Sequence, residues 1–581
     1  KRLALAVFSS DALSSVAYAT EEILLVLTLA GTAMVGYSIP LSLSIIGLLV
    51  ILTMSYRQII FEYPEGGGAY IVGKSNLGEW PGLVAAAALM IDYVLTVAVS
   101  VAAGIAALTS AFPDLLAHRE ALCIAAILLV TVVNLRGVRE SGQFFAVPTY
   151  IFIGTLAAML GVGAVQILLG HATRIEPLPS LTPTEPLTLF LLLRAFSSGC
   201  TALTGVEVIS NGVSAFKKPE PKNAAFTMIG MAVILGALFI GISAMAYYFG
   251  IVPKSDETVV SQIARATFGT GLLYFLVQAS TMTILILAAN SSFNGFPRLA
   301  SILARDSYMP HQMSMMGDRL VFSNGVIILG VFSCLLIILF NGDTHALIPL
   351  YAVGVFLSFT ISQAGMVKRW LVKKGPHWEK KLLVNGIGAV TTAIATVIIA
   401  STKFAHGAWI VIVLIPMLIM FFRAIRSHYK AVSEQVALSR GHRPPMPRRN
   451  IVVLPIGGVN RAVIRAVDYA RSRSGDIRAV LVDVDPEETA RVEIQWAQWG
   501  CGVPLTVLPS PYRSVLSSLL DYLEQVLQKD QECWVTVVIP EILPARWWQN
   551  ILHNQRAFML KGALLFKDRV ILTDVPYHLT R

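Results

Sequence analysis

The sequence predicts an all-α polytopic membrane protein that ends in a small, separate α/β domain. Of its 581 residues, 55% are hydrophobic and the mean hydropathy is +0.67, more apolar surface than a soluble core of this size requires. Runs of about 18 apolar residues or more, enough to cross a bilayer, recur through roughly the first 425 residues. Beyond about residue 430 the pattern changes to short strands that alternate with helices.

Twelve apolar segments organise the first part of the chain. They fall near residues 3–30, 41–62, 82–112, 120–134, 147–169, 188–212, 223–250, 271–295, 321–340, 347–366, 385–402 and 407–424. We therefore predict a twelve-helix membrane domain, a basic proline-rich linker and a cytosolic α/β domain, over residues 1–430, 431–450 and 451–581 respectively. Twelve spans would put both termini on the same side of the membrane.

The distribution of positive charge predicts which side that is. Loops on the side of the N-terminus carry 21 Lys and Arg residues, whereas the opposite loops carry five. Because cytoplasmic loops are enriched in Lys and Arg, we expect both termini in the cytoplasm and membrane lipid around the spans. The net charge of +10 does not indicate nucleic acid as a partner, because most of the excess lies in these loops.

The last 130 residues or so carry strand and turn signals. Residues 451–456 are typical of a strand, and the glycine turn Gly457-Gly458 and a helical pattern follow. Further strand-like runs lie at residues 477–484, 503–508, 534–539 and 569–572. Strands that alternate with helices predict a parallel sheet.

Neither an enzyme nor a bound cofactor is expected. The five cysteines are scattered without the spacing of a zinc site or an obvious disulfide pairing, at positions 123, 200, 334, 501 and 533. No His-centred catalytic group or phosphate-binding loop is evident in the sequence.

A polar patch lies inside the first apolar segment, where residues 9–18 read SSDALSSVAY. Asp11 is about nine residues into the segment, or roughly 13 Å deep at 1.5 Å per residue. A carboxylate at this depth is costly, so it should face a cavity and act there. The serines around it can bond freed backbone groups if the helix unwinds. We therefore expect an unwound helix that lines a substrate site.

The sixth segment carries a similar patch. Residues 197–207 read SSGCTALTGVE, which begins with two serines and parallels the Ala-Leu-x-x-Val pattern of the first segment. Paired interrupted helices in corresponding halves of a chain indicate the central site of a transporter. This patch adds Thr201, Thr204 and Glu207 to the candidate residues.

The third segment adds Asp92 and Tyr93, with Thr96 and Ser100 at i+4 and i+8 from Asp92 on one helical stripe. For the two hydroxyl residues, a polar seam between helices is an equally good explanation. Tyr351 could be only an interfacial anchor.

Glu21 and Glu22 follow the polar patch of the first segment. They lie some 15 Å beyond Asp11 at the rise of an α-helix. We expect them to be solvated groups at the outer end of the helix, and a gate of an outer vestibule is the alternative.

These acidic groups favour a monovalent inorganic cation as the substrate. Asp11, Asp92 and Glu207 could place up to three negative charges in one cavity, beside tyrosine and threonine oxygens that can replace the hydration shell of an alkali ion. An amino-acid carboxylate about 4 Å from Asp11 would meet a repulsion of about 4 kcal/mol at an effective dielectric constant of about 20. Because no His joins the patches and Cys200 is the one cysteine within them, a transition metal is not expected.

Proton coupling is expected from the same three carboxylates. They cannot all ionise near neutral pH when they lie close together, so at least one should hold a proton. Glu207 is the predicted carrier, because it follows the flexible Thr204-Gly205 pair and could move with it. Asp11 is the second candidate.

Several motifs resemble those of the amino acid–polyamine–cation superfamily. The run YPEGGGAY at residues 63–70 resembles the Pro-x-x-Gly-Gly-x-Tyr signature of its permeases, and NLRGV at residues 134–138 resembles their fourth-helix exit. SSDALSSVAYATE, LMIDYVLTVAVS, AFSSGCTALTGVEVISN and LIPLYAVGVF are together similar to its KUP-like branch of high-affinity potassium–proton symporters. The resemblance covers nearly all twelve segments. It implies the LeuT-type fold, two inverted five-helix repeats plus two helices, in a bacterial cell membrane.

The resemblance also implies a set of potassium-site residues. Those that match the motifs are Asp11, Tyr18, Asp92, Tyr93, Thr96, Ser100, Thr204, Glu207 and Tyr351. The predicted function is therefore potassium uptake by symport with protons. An amino-acid or polyamine permease of the same fold is the alternative, and a nutrient receptor with a signalling cytosolic domain is a third hypothesis.

For the C-terminal domain, the resemblance implies a fold similar to universal stress proteins that pairs as a homodimer. In some members this domain binds the inhibitor cyclic di-AMP. Backbone N–H groups at Gly457, Gly458, Asn460 and Arg461, where a helix begins, could hold a phosphate. A purely structural dimerisation domain is the alternative, since a two-glycine turn lacks the full dinucleotide fingerprint.

Overall fold

The protein is described by a computed structural model that covers residues 2–66, 68–137, 142–170, 183–316, 322–437, 449–510, 514–545 and 555–579. The chain forms two compact units that divide after Ala437. The first unit is helical and apolar, and the second is an α/β domain.

Sixteen α-helices build the first unit within these ranges. They are α1 (Arg2–Ser14), α2 (Val16–Leu27), α3 (Ser38–Glu62), α4 (Ala69–Asn76), α5 (Glu79–Ala111), α6 (Arg119–Leu135), α7 (Gly142–Leu168), α8 (Leu189–Gly199), α9 (Val208–Asn211), α10 (Glu220–Phe249), α11 (Val259–Phe268), α12 (Leu272–Arg305), α13 (Ser323–Leu339), α14 (Thr344–Val372), α15 (Trp378–Lys403) and α16 (Ala408–Val436).

The described part of the chain contains 11 helical stretches long and apolar enough to cross a membrane. Two of them combine consecutive helices, because Ala4–Ala30 joins α1 to α2 and Leu189–Asn211 joins α8 to α9. The ninth predicted segment corresponds to α13, which is apolar but has 17 residues. Many membrane-spanning helices are therefore present where apolar segments were predicted, and the count of twelve stays a prediction.

The first span is less unwound than its sequence suggested. Only Ser15 separates α1 from α2, and its backbone angles (φ −62°, ψ −21°) remain those of a right-handed helix. The hydroxyls of Ser14 and Ser15 bond back to the carbonyl oxygens of Asp11 and Ala12, at 2.7 and 2.6 Å. These bonds hold the polar stretch close to a helical path, so the prediction of an extended break is corrected to a one-residue interruption.

The sixth span is interrupted over several residues. After α8 the chain forms a 3₁₀ turn over Cys200–Leu203, and Thr204 then adopts an extended backbone (φ −68°, ψ 147°). Gly205 has a φ of +81°, a conformation that residues with a Cβ rarely adopt. The helix resumes only at α9, so Thr204, Gly205 and Glu207 lie outside regular α-helix.

The second unit is a five-stranded, wholly parallel sheet with helices on both faces. Its elements are β1 (Arg449–Ile456), α17 (Arg461–Arg471), β2 (Asp476–Asp483), α18 (Pro486–Trp499), β3 (Leu505–Pro509), α19 (Val515–Lys529), β4 (Cys533–Leu543), α20 (Gln555–Leu564) and β5 (Val570–His578). The strand order is β3-β2-β1-β4-β5, with Val452 paired to Ile477 on one side and to Thr536 on the other. Alternate residues of β1 enter two separate apolar cores, one on each face. The predicted parallel α/β domain is confirmed.

The boundary between the units differs from the predicted linker. Helix α16 runs to Val436, so residues 431–436 are helical rather than linker. The helix continues because its last turns contain no Gly or Pro, and Lys430 lies 3.8 Å from Glu434 one turn later. Strand β1 begins at Arg449, and residues 438–448 of the predicted linker lie outside the described ranges.

Candidate functional site

Three buried carboxyl groups interact with one another inside the first unit. Asp11 comes from α1, Asp92 from the middle of α5, and Glu207 from the residue before α9. Each is at most 7% exposed, and each interacts electrostatically with the other two. Spans 1, 3 and 6 therefore bring together the acidic residues that the sequence singled out.

Two of these carboxyl groups have an oxygen that makes no hydrogen bond to the described residues. They are Oδ1 of Asp92 and Oε2 of Glu207, and both atoms are buried. Asp11 is better satisfied, since Oδ2 accepts a hydrogen bond of 3.3 Å from the hydroxyl of Ser291 on α12. A buried carboxylate oxygen without a donor is costly, so these atoms need a cation or a proton as a partner.

The break in the sixth span lies directly against α1. A Cβ on Gly205 would be 2.8 Å from both the backbone nitrogen of Ala12 and Cγ of Asp11, closer than any side chain could approach. The hydroxyl of Ser15 also lies 3.0 Å from the carbonyl oxygen of Ala202. The two interrupted spans are therefore in contact at Asp11 and Ala12 and again at Ser15, one helical turn later.

Hydroxyl groups surround the carboxyl groups. Thr96 on α5 donates a 3.1 Å hydrogen bond to the hydroxyl of Tyr351 on α14. Tyr18 and Tyr351 both interact with Thr204 and with Asp11. Tyr351 is therefore a buried member of the group, although sequence reasoning without the family resemblance treated it as a possible interfacial anchor.

The other predicted site residues differ in how closely they approach the three carboxyl groups. Tyr93 interacts with all three, and its ring packs against the backbone of Gly295 on α12. Thr201 is fully buried in the sixth-span break, where its carbonyl oxygen accepts a hydrogen bond from the Thr204 hydroxyl. Ser100 is buried on α5 eight residues after Asp92, about 12 Å along the axis, so it lies at the margin of the group.

Sequence reasoning missed several polar residues that complete the site. Ser291 contacts Asp11, Asn211 interacts with Tyr93, and Tyr56 interacts with Glu207. Residues 290–294 read NSSFN at the end of the otherwise apolar eighth segment, so this segment carried a usable signal. Tyr56 carried no such signal, because a single tyrosine near the end of an apolar helix is ordinary.

A cavity of about 1260 Å³ reaches the site from one side of the unit. Its lining includes Tyr93 and Ser291, residues 63–66 and Gly68, and the arginines Arg298 and Arg305. We call it the vestibule. The vestibule approaches the carboxyl groups through two of its lining residues, because Tyr93 interacts with all three of them and Ser291 donates a hydrogen bond to Asp11.

The prediction for Glu21 and Glu22 is wrong. Both side chains are buried, and both approach His345 at the start of α14, at 3.6 and 2.6 Å respectively. They are not solvated, because α14 packs over them and provides the imidazole as a partner. This pair lies beyond Asp11 on the side opposite the vestibule.

The donor set of the site is made of hard oxygen atoms. The carboxyl groups of spans 1, 3 and 6, the hydroxyls of Thr204 and Tyr351 and the irregular backbone of the sixth span all contribute. Within the described ranges, no three His, Cys, Asp or Glu side chains form a group that could hold a metal ion together. Such a site suits a weakly hydrated monovalent cation that takes most of its ligands from neutral oxygens.

The predicted nucleotide-binding residues of the second unit lie where β1 meets α17. A Cβ on Gly457 or Gly458 would meet open space, and Arg461 is exposed. Asn460 caps α17, since its Oδ1 accepts a 3.0 Å hydrogen bond from the backbone nitrogen of Val463. The turn lies at the carboxyl end of the strand beside which the strand order reverses, a position where open parallel sheets bind ligands.

Two family models match this sequence. The model described as "Amino acid permease" matches residues 3–422, and the model described as "KimA potassium transporter C-terminal domain" matches residues 448–577. The first covers the helical unit and the second covers the α/β domain.

The similarity of this chain to individual proteins agrees with the two family models. Potassium transporter KimA of Bacillus subtilis is 46% identical over 581 residues, which is 100% of this chain and 95% of that protein. The human Asc-type amino acid transporter 1 is 23% identical over 346 residues, which is 57% of this chain and 64% of that protein. Both relatives are transporters, not enzymes.

Among solved structures, a manganese transporter of Eremococcus coleocola is similar with a TM-score of 0.35 and 13% identity, over 75% of this chain and 96% of that one. The match to the permease model spans most of the helical unit, and the KimA relative spans the whole chain. The chain therefore belongs to the amino acid permease family and, within it, is a homologue of the potassium transporter KimA that carries the KimA C-terminal domain.

Proposed function

We propose that this protein takes up potassium by symport with protons, through the site formed by Asp11, Asp92 and Glu207. The observation that carries the proposal is the pair of buried carboxylate oxygens, on Asp92 and Glu207, that have no hydrogen-bond partner among the described residues. A potassium ion would satisfy one of these oxygens and a proton the other. The 46% identical potassium transporter supports the choice of ion.

Glu207 is the proposed proton carrier, and Asp11 is the second candidate. Glu207 follows the left-handed Gly205, so a small change of backbone angles in the break would move its carboxyl group. Asp11 comes second because its Oδ2 already accepts a hydrogen bond from Ser291, whereas Oε2 of Glu207 has no partner among the described residues. The remaining predicted ligands of the ion are Tyr18, Tyr93, Thr96, Ser100, Thr201, Thr204 and Tyr351.

The proposed setting is a bacterial plasma membrane with both termini in the cytoplasm. Helix α13, with 17 residues, would span about 26 Å and serve as the twelfth crossing. With this orientation the vestibule opens to the cytoplasm, and the side that carries Glu21, Glu22 and His345 faces outwards. The LeuT-type arrangement of two inverted repeats is part of this proposal.

The alternative within transport is a permease for an amino acid or a polyamine. The match to the amino acid permease model keeps it open. Against an amino acid stands the repulsion of about 4 kcal/mol that Asp11 would exert on its carboxylate at about 4 Å. A cationic polyamine avoids this repulsion, so among the permease substrates it is the stronger alternative to potassium.

Growth of a bacterium without its own potassium uptake systems tests the ion. The wild-type protein should restore growth at micromolar potassium, and Asp11→Asn and Glu207→Gln should each abolish it at equal expression. Asp114→Asn, in an exposed 3₁₀ helix, is the matched control and should behave as wild type. Uptake of a labelled polyamine without rescue would favour the permease, and ligand binding without any uptake would favour a receptor.

Reconstituted vesicles test the proton. Potassium added outside should acidify the vesicle interior of wild-type protein, as read by a trapped pH-sensitive dye. Potassium entry without acidification would refute symport and leave the potassium site standing.

We also propose that the C-terminal domain forms a homodimer and binds cyclic di-AMP as an inhibitor at Gly457, Gly458, Asn460 and Arg461. The open space over the two glycines and the start of α17 beside them support a phosphate position. Calorimetry with cyclic di-AMP on the full-length protein tests binding, with Arg461→Ala expected to weaken it. If the nucleotide does not bind and the protein is dimeric, the domain is structural.

A further inference from the structure

The last helix of the membrane unit, α16, contacts the segment that follows α12 through two side chains. The guanidinium carbon of Arg426 lies 4.7 Å from the centre of the Tyr308 ring, and its Nη1 is 2.5 Å from Oε1 of Glu79 at the start of α5. Tyr429 accepts a 3.1 Å hydrogen bond from the backbone nitrogen of His311, and the two rings stack with their centres 4.1 Å apart. We call the contacts of Arg426 and Tyr429 with Tyr308 and His311 the clamp.

The segment held by the clamp is fixed to the end of α12. The backbone nitrogen of Tyr308 donates a 2.8 Å hydrogen bond to the carbonyl oxygen of Leu303, and that of Asp306 donates a 3.0 Å hydrogen bond to Ile302. The Tyr308 side chain is buried. A displacement of Tyr308 is therefore transmitted to the last turn of α12.

Helix α4 holds the same end of α12 from a second direction. Asp306 pairs with Nζ of Lys74 at 2.7 Å and accepts a 2.5 Å hydrogen bond from the hydroxyl of Tyr70. Nζ of Lys74 also lies 6.0 Å from the centre of the Tyr308 ring, so this ring has a cation from α4 and a cation from α16 near it. Because Arg426 and its partner Glu79 are both more than 40% exposed, their ion pair alone is weak, and the contact with the buried ring is the more specific one.

The part of α12 that the clamp holds lines the vestibule. Ile302 and Arg305 are among the lining residues, and both follow Pro297 in the helix. Pro297 has no backbone N–H, so the carbonyl oxygen of Phe293 lacks its helical hydrogen bond and the helix is weakest at this point. Ser291, which donates to Asp11, precedes the proline. A bend at Pro297 would therefore move the vestibule wall without moving the contact to Asp11.

We propose that the clamp holds the wall of the vestibule in the position described here, so that Arg426 and Tyr429 are positioning residues of the transport cycle. The proposal rests on the potassium uptake proposed above and adds the residues that keep the vestibule open to the cytoplasm. Neither residue is part of the vestibule lining, so both act through α12 and not on the ion. Without the clamp, α12 bends at Pro297, and states with a closed vestibule gain in population.

The test uses full-length protein with a reporter cysteine on another wall of the vestibule. Val208→Cys places a thiol on α9, which belongs to the sixth span and lines the vestibule. Its reaction with a charged, water-soluble thiol reagent is followed by mass spectrometry of the peptide that contains residue 208, because the chain has five other cysteines. The rate of this reaction reports how often the vestibule is open.

Three variants of the clamp and one matched control are compared in this background. Arg426→Ala removes the cation from the Tyr308 ring, whereas Arg426→Lys keeps a positive charge there. Tyr429→Phe keeps the ring that stacks on His311 and removes only the hydrogen-bond acceptor. The control is Arg423→Ala. Arg423 lies one turn earlier on α16 and its guanidinium carbon is 4.6 Å from the centre of the Trp80 ring on α5, so the variant loses the same charge without changing the clamp.

Labelling at position 208 should slow about threefold or more in Arg426→Ala and about twofold in Tyr429→Phe, because closed states gain in population. Arg423→Ala should label as wild type does, and Arg426→Lys should recover at least about half of the wild-type rate. A larger share of Arg426→Ala protein then faces outwards, so its apparent KM for external potassium should fall about twofold or more. A merely structural role would instead lower Tm and the maximal uptake rate without this gain in apparent affinity.

Unchanged or faster labelling in Arg426→Ala and Tyr429→Phe would overturn the role of the clamp and leave potassium uptake standing. An equal slowing in Arg423→Ala would also overturn it, since contacts with α5 alone would then account for the effect. Should Arg426→Ala fail to fold, Tyr429→Phe decides, because its ring still fills the same space. If the wild-type protein moves no potassium, the uptake proposal fails, and the labelling rates still decide whether α16 holds α12 in place.

Discussion

Replacement of Gly205 by alanine should disrupt the central site, because the added methyl group would meet backbone on the facing span. The φ of this residue is +81°, and the added Cβ would lie 2.8 Å from the backbone nitrogen of Ala12 and 2.8 Å from Cγ of Asp11. The amide of Ala12 belongs to helix α1 and cannot rotate away. Either the break in the sixth span or the first span must therefore shift.

The size of the effect follows from three contributions. The left-handed conformation destabilises a residue with a Cβ by about 1–2 kcal/mol. Alanine also has less conformational entropy than glycine in the unfolded chain, which stabilises the folded state by about 0.4–1 kcal/mol. Overpacking of a rigid contact costs about 1–3 kcal/mol more. The net cost is about 2–4 kcal/mol, which corresponds to roughly 30- to 700-fold weaker potassium binding if it falls on the site.

The assay is the concentration dependence of rubidium or potassium uptake, with a melting curve of the purified protein beside it. Gly236→Ala on α10 is the matched control. A Cβ there would meet its nearest neighbour at 3.7 Å, and alanine favours a helix by up to about 1 kcal/mol. If Gly205→Ala shows wild-type KM and wild-type Tm, the close contact between the two spans does not exist as described.

Three further predictions concern single contacts. Thr96→Val removes the donor to the Tyr351 hydroxyl, which costs about 1–2 kcal/mol in a buried site, so KM for potassium should rise about five- to thirtyfold while expression is unchanged. Asn460→Ala removes the cap of α17, so the opening free energy of that helix, measured by amide hydrogen exchange, should fall by about 1 kcal/mol. Unchanged exchange would contradict the capping role. The hydrogen bond from Arg478 lowers the pKa of Asp476, so this carboxylate stabilises the α/β domain above the ordinary Asp pKa of about 3.9, and the stabilisation is lost as the pH falls through the lower folded value. Asp476→Asn should therefore flatten the acid limb of stability measured by hydrogen exchange on the full-length protein.

The sequence predicts features well where placing a residue type in its local environment costs much free energy. A carboxylate inside an apolar segment is costly enough to be noticed, which is why Asp11, Asp92 and Glu207 could be selected before their contacts were known. The break in the sixth span was foreseen for a similar reason, because Thr204-Gly205 in the middle of a span disfavours a regular helix.

Other features depend on neighbours that are remote in sequence. Glu21 and Glu22 look solvated until α14 brings His345 over them, more than 320 residues later. Ser291 is an ordinary helix serine until its hydroxyl meets Asp11. The extent of unwinding in the first span was overestimated, because serine hydroxyls can bond either a freed backbone or their own helix, and here they bond the helix.

The hydroxyl of Ser15 lies within bonding distance of two carbonyl oxygens at once, Ala12 in its own span and Ala202 in the sixth. The Ser15 side chain thus links the interruption of the first span to the interruption of the sixth span. A conformational change at either interruption is therefore transmitted to the other directly, with no helix or loop between them. The two interruptions are therefore in direct contact at Ser15 as well as at Gly205, and a substitution at position 15 should weaken their coupling while leaving every charged side chain in place.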